Sequence, residues 1–368
     1  MRRGILAVGI LAGTIIGAGV FSLPYIFSKV GVVAGVLMLI SFACLYGVIH
    51  ARYGGVLHAF RDGGNPGQFA HFAKRAFSPR AARFASGIVV AELVLTLTAY
   101  IVLSAGFAGL LGVPRTVAWA VFWAIGSAAF FLKTRALGVL EIFGTVGVFL
   151  ICALIGFSTD GATLPLSPRE IPGAAAIFSY IGAMIFSFSG RPAIPHVGAL
   201  FGRVRIPRRI IFWGMLIPLA FYLIFPMSVL RLTDTPAPDT VSGVLALSPV
   251  VAVLVGVLGL ITLFTSYIVI GDNLFEILKG DVFRAPFPAA LVAVVLPMVL
   301  VFLGLQSFLA VIGMIGGVFL SLEAMFVNRM WEKASGAPPY MPLSIAVYVI
   351  FGSTLLYHMY LVGTMLFH

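Results

Sequence analysis

Two stretches place helix-weakening residues in the middle of apolar runs. One is "GTIIGAGVFSLP", Gly13 to Pro24; the other is "FSFSGRPAIPHVG", Phe186 to Gly198. In hydrocarbon, backbone leaves the helix only where it is buried in protein or lines a cavity, because each unpaired N–H or C=O costs several kcal/mol. A break exposes N–H groups at the start of one half-helix and C=O groups at the end of the other. The N–H end attracts an anion such as a carboxylate, and the C=O end attracts a cation. An α-amino acid carries one of each. Gly13, Gly17 and Gly19 also suit a close-packing face. The second interrupted stretch favours the ligand reading, since Gly/Pro-broken spans in matching positions of two halves point to a transporter binding site.

The elements that must hold these stretches are membrane spans. The chain has 368 residues, 61% hydrophobic and 10% charged, with a mean hydropathy of +1.12, which excludes an ordinary soluble domain. Apolar runs of roughly 20 residues between charged or Pro/Gly-rich breaks predict eleven spans, at 5–28, 31–50, 84–111, 116–132, 137–157, 173–200, 209–230, 243–278, 286–304, 306–328 and 341–367. The first run reaches about residue 27 without an Ala-x-Ala-like cleavage site and more spans follow, so it reads as a span rather than a signal peptide. The breaks fall in spans one and six. With five spans per half, the chain divides into repeats at 1–158 and 159–330 of opposite topology, plus an extra span at 331–368. Cys44 and Cys152 both lie in apolar runs and imply no disulfide framework.

Charge orients the chain. With the N-terminus cytoplasmic, eighteen Lys and Arg fall on the inner side and four (Lys29, Arg115, Arg169, Arg231) on the outer; Arg191, within a span, completes the 23. This bias predicts a multi-pass protein of the plasma (inner) membrane with its C-terminus outside. It also accounts for the net charge of +11 without a nucleic-acid partner. In the inner segment 51–83, Phe69, Phe72, Ala73 and Ala76 recur at helical spacing with Lys74 and Arg75 opposite. That pattern fits either a short interfacial helix or an ordered segment packed under the bundle.

Ionisable side chains inside spans are costly, paired and often functional. Glu92 lies about 12 Å into span three at 1.5 Å per residue. Arg191 follows the sixth-span break, and Asp272 lies toward the inner end of span eight. All three fall in the inner half. The expectation is that Arg191 pairs with Glu92 or Asp272, either closing the inner pathway or fixing the packing permanently. Glu141, Glu276 and Glu323 are expected near inner helix ends, serving loops, and His196 is expected to be a helix-end residue. No His-Glu-x-x-His, Gly-x-Ser-x-Gly, Walker-type loop or Cys/His cluster is present, so no enzyme is expected.

"GTIIGAGVFSLPYIFSKVG" resembles the first span of the amino acid–polyamine–organocation superfamily. The amino acid/auxin permease branch, with its hydroxy- and aromatic amino acid permeases, is the nearest match. "FSFSGRPAIP" is similar to that branch's sixth-span motif, and "TSYIVIGDNLFEIL", from Thr265, to its eighth span. The resemblance implies a LeuT-type fold: an all-α polytopic protein with a five-plus-five inverted repeat, discontinuous spans one and six, and one extra span. It implies that backbone at Gly17, Ala18 and Gly19 meets a substrate carboxylate. Carbonyls near Thr14, Ile15 and Phe186 would meet the amino group, Ser187 and Ser189 would line the sixth-span break, and Phe186 would be an aromatic lid. Tyr100 in span three would offer its hydroxyl to the carboxylate; the alternative is a structural partner elsewhere.

The same resemblance implies one sodium site between spans one and eight, built from carbonyls of Gly13, Ile16 and Thr262 and hydroxyls of Thr265 and Ser266. Those hydroxyls have the competing option of bonding back into their own helix. Val20 stands where two-sodium relatives carry an asparagine. Span five has no Lys, Arg or His to replace sodium, so a proton route would use Glu92. The function expected is secondary transport of neutral, aromatic or hydrophobic L-amino acids by alternating access, coupled to Na+ or H+. Its partners are the amino acid and the bilayer, with no cofactor beyond Na+. The alternative is a sensor or channel that keeps the fold. Oligomeric state is not legible in the sequence.

Overall fold

A computed structural model describes residues 2–60, 69–131, 146–147, 149–151, 153–154, 173–202, 204–233, 236–241, 248–283 and 285–367. Every regular element among the described residues is helical. Span one is α1 (Arg2–Ile15), a 3₁₀ segment (Ala18–Ser22) and α2 (Leu23–Val30). The helix stops where Gly17 takes an extended conformation, φ −130° and ψ −156°. The two halves meet at 45°. Pro24 sits in the first turn of α2, where its missing N–H would have had no helical acceptor.

Span two is α3 (Val32–Ala59), and α4 (Phe69–Ala76) follows. Span three is α5 (Pro79–Gly109); span four is α6 (Arg115–Ala128), prolonged by a 3₁₀ turn at Ala129–Phe131. The run expected at 137–157 falls mostly outside the described residues. Glu141, Cys152 and the repeat boundary at 158 fall wholly outside them. Span six is broken into α7 (Ala174–Ser187) and α8 (Ala193–Phe201). Span seven is α9 (Arg208–Leu232). Span eight, expected to begin at 243, begins instead with α10 (Pro249–Ile277), because Ser248 caps it by accepting the Val251 N–H at 3.4 Å. Span nine is α11 (Pro286–Phe302).

Span ten runs continuously from α12 (Phe308–Met314) through a π turn at Ile315–Leu320 into α13 (Ser321–Ser335). Ser321 Oγ donates to the Gly316 carbonyl at 3.0 Å, spanning the wide turn. A methyl group on Gly316 would lie 2.6 Å from the Gly182 carbonyl carbon, so spans ten and six cross backbone to backbone. α14 (Pro342–Phe367) packs on α13 and completes the bundle.

Apolar side chains such as Leu37, Trp213, Leu254, Phe302 and Leu356 form the bundle's exposed surface. Six helices are each long and apolar enough to cross a membrane, and the bent pair of span one makes a seventh. The chain is an integral, multi-pass membrane protein. At its centre α5 packs against α4, α6, α10, α11 and α12. The α5–α10 crossing needs glycine. A Cβ on Gly256 would lie 2.9 Å from the Phe107 carbonyl oxygen, a backbone atom that cannot rotate away. Gly256→Ala is therefore expected to cost about 1–3 kcal/mol and to lower the melting temperature in detergent. Gly9→Ala, with nothing within 4 Å, should leave it unchanged.

The segment between spans two and three is packed under the bundle rather than lying free at the interface. Phe69, Ala70, Phe72, Ala73 and Ala76 of α4 are buried against α5 and α13, while Lys74 and Arg75 face out. Lys333 Nζ donates to the Ala76 carbonyl at 2.7 Å, closing the end of α4.

Candidate functional site: the meeting of two broken spans

The two breaks touch. A Cβ on Gly19 would fall 2.6 Å from Ser187 Oγ and 2.8 Å from Ser187 Cα. One on Gly190 would fall 2.5 Å from Ile15 Cγ1 and 3.3 Å from His50 Cε1. Glycine at these two positions lets the first break seat directly on the second. Ala18 and Gly19 open the 3₁₀ segment, so their N–H groups have no helical acceptor by position. Tyr100 comes to the same place: its hydroxyl lies 3.6 Å from where a Cβ on Gly17 would stand.

The carbonyl ends converge on a residue that the sequence did not single out. Tyr222 of α9, fully buried, directs its hydroxyl at the Ile15 carbonyl at 2.6 Å and the Ser187 carbonyl at 2.8 Å. Ile15 is the last residue of α1 and Ser187 the last of α7. The negative ends of two half-helices thus point at one hydroxyl. The Phe188 ring, 5.3 Å from the Tyr222 ring, holds it in a T-shaped contact.

Other expected residues fall as follows. Thr14 and Phe186 are half-buried at the ends of α1 and α7, and Ser189 is half-buried within the second break. The Phe186 carbonyl accepts the Ser189 N–H at 3.1 Å, so the second break presents the Ser187 carbonyl instead. Ser187 Oγ turns back to the Ala183 carbonyl at 2.9 Å. Of the residues expected to hold sodium, Gly13 is half-buried and Ile16 buried at the end of α1, Thr262 and Thr265 are buried on α10, and Ser266 is half-buried. Thr265 Oγ1 donates to the Thr262 carbonyl at 2.9 Å, the bond back into its own helix. The main partners of α1 are α8 and α9, and those of α10 are α5, α6 and α11. Among the described residues no group of three or more His, Cys, Asp and Glu could hold a metal.

Beyond the second break the charged residues gather. Arg191 Nη2 donates to Glu92 Oε2 at 3.1 Å, and Arg191 Nε donates to Glu323 Oε2 at 2.6 Å. All three are buried, with side-chain exposures of 7–9%. The Phe69 ring of α4 lies 5.5 Å from the guanidinium. Two expectations are corrected here. Asp272 is not a partner; it is half-buried on α10 beside Glu276 and Lys279. Glu323 does not serve a loop. Span ten continues to Ser335 rather than ending near 328, so Glu323 sits in its interior.

On the opposite side of Tyr100, an open cavity of about 390 Å³ is lined by Val102 and Gly106 of α5, Arg115, Asp239, Gln306 and Phe308. Arg115 Nη2 donates to Gln306 Oε1 at 2.7 Å and its guanidinium stacks on Trp119.

No family model matches the sequence, and no curated protein matches it. Solved structures do match its shape. The crystal structure of MhsT in complex with L-phenylalanine superposes at a TM-score of 0.68 and 17% identity, covering 98% of this chain and 97% of that one. Mhp1, a nucleobase-cation-symport-1 family transporter, gives 0.62 at 13% identity, over 96% of this chain and 90% of that one. A manganese transporter of Eremococcus coleocola gives 0.62 at 14% identity, over 96% and 84%. The fold is that of the LeuT-type transporters. Its two discontinuous helices are α1–α2 and α7–α8, and the contacts between Gly19 and Ser187 and around Tyr222 lie where they cross.

Proposed function

We propose that this protein is a secondary transporter of neutral amino acids, aromatic or hydrophobic ones included, working by alternating access and coupled to Na+ or H+. One observation carries the reading. Two half-helix carbonyl ends, Ile15 and Ser187, converge beside the N–H start at Ala18 and Gly19. That is one cation site and one anion site at the spacing of backbone breaks, the complement of an α-amino acid. The likeness to a structure that holds L-phenylalanine supports the aromatic end of the range. The first-, sixth- and eighth-span motifs support placement in the amino acid/auxin permease branch, with repeats at 1–158 and 159–330. The Lys/Arg bias supports a cytoplasmic N-terminus. In this reading the Arg191 cluster closes the inner side and the cavity beside Arg115 is the outer approach.

Counterflow in proteoliposomes tests it. Vesicles preloaded with each of the twenty amino acids in turn should accumulate the labelled form for a subset of neutral ones. Repeating the assay with and without sodium, and at two external pH values, identifies the coupling ion. Binding without any exchange would instead identify a sensor, and flux without counterflow a channel.

A further inference from the structure

We infer that Tyr222 is a built-in stand-in for the substrate's ammonium group, and that its hydroxyl lets the carrier reorient without substrate. The inference rests on the transporter reading above. The carbonyls of Ile15 and Ser187 end two separate half-helices, and each lacks an acceptor role within its own helix. Brought together in a buried site, they need a donor, because an unpaired buried carbonyl is costly. The chain supplies that donor itself, from a third span, through the Tyr222 hydroxyl at 2.6 and 2.8 Å. Tyr222 is 0% exposed, with the Phe188 ring of the second break 5.3 Å away and the Phe221 ring of its own helix 6.3 Å away.

The chemistry of the two donors differs in a useful way. A phenol has one proton to share between two carbonyls. A primary ammonium has three N–H donors and a full positive charge, so it serves both helix ends better. An ammonium that bonds both carbonyls replaces the Tyr222 hydroxyl there, so the hydroxyl serves the empty carrier and not the loaded one. Without one, the hydroxyl shares its single proton between the two carbonyls, so neither is left wholly unpaired while Gly19 and Ser187 remain in contact. A substrate is therefore preferred but not required for the two breaks to close on each other. A carrier that closes only when loaded is confined to exchange. One that also closes empty can complete a cycle of net uptake.

Tyr222→Phe removes the hydroxyl and keeps the ring. Net uptake into empty vesicles and exchange into preloaded ones are measured side by side, using whichever of the twenty amino acids gives the largest exchange in the wild-type protein. Net uptake is expected to fall at least tenfold, while exchange stays within threefold. Binding of the same labelled amino acid in detergent, within tenfold of wild type, is the control on folding. Equal loss of both fluxes, with or without loss of binding, would overturn the inference and make the hydroxyl structural. Unchanged net uptake would overturn it as well. A wild-type protein with no exchange for any amino acid sinks the transporter reading itself, and is recognised before the variant is made.

Discussion

Gly19→Ala is expected to abolish transport while leaving the bundle folded. The added methyl group would stand 2.6 Å from Ser187 Oγ and 2.8 Å from Ser187 Cα. The hydroxyl can rotate away, but the α-carbon cannot, so the two breaks must separate by several tenths of an ångström. Overpacking of this kind costs about 1–3 kcal/mol, small beside the stability of a bundle of this size. The effect on function is larger, because the strain falls where the ends of α1 and α7 share Tyr222. A fall of at least tenfold in counterflow, with a melting temperature within a few degrees of wild type, is the expected result. Gly190→Ala is the milder comparison: its new Cβ meets side-chain atoms only, Cγ1 and Cδ1 of Ile15 and Cε1 of His50, with no backbone atom in the way. It should retain a measurable fraction of counterflow. Wild-type counterflow in Gly19→Ala would mean that the contact between the breaks does not matter.

The architecture was legible because hydrocarbon leaves few choices. Apolar runs of about 20 residues must be helices, and the glycines and prolines at Gly13–Pro24 and Phe186–Gly198 mark where two of them are broken. The backbone part of the site follows from the same rule. What was missed has a common cause. Tyr222 lies in an apolar run with nothing nearby in sequence to distinguish it from other membrane tyrosines; only the crossing of spans one, six and seven brings its hydroxyl to the breaks. Glu323 was set aside because an apolar window places a span's end where charged residues begin. The described helix runs on through Asn328 and Glu332, both buried. Arg52 of α3 bonds the Asn328 side chain there, and Asn328 in turn donates to Glu332 at 3.1 Å. A helix can carry such residues into its interior when each finds a partner, and partners on other spans are invisible to a window of sequence.

Arg191→Met should destabilise the protein more than any other single change in the site. The guanidinium is shared by Glu92 of α5 and Glu323 of α13, all three buried. Removing it leaves two carboxylates with no paired cation among the described residues, and breaking a buried pair in this way costs about 3–5 kcal/mol. The melting temperature in detergent should drop by many degrees, or the protein should fail to accumulate. Part of that loss is electrostatic and can be undone. Combining Arg191→Met with Glu92→Leu and Glu323→Leu removes every charge at once, and well-packed hydrophobic residues of similar volume are often as stable as the buried ions they replace. The triple variant should therefore recover most of the lost melting temperature. Transport then divides the two roles open to the cluster. If Arg191 only fixes the packing of spans three, six and ten, the stable triple variant should also recover counterflow. If the cluster opens and closes the inner side, as its position beneath the second break and above Phe69 suggests, stability returns and counterflow does not. The second result is the one expected. In the alternating-access reading, two carboxylates on different spans, Glu92 and Glu323, let the guanidinium keep one partner while it leaves the other. That exchange is one a neutral cluster of the same shape does not reproduce.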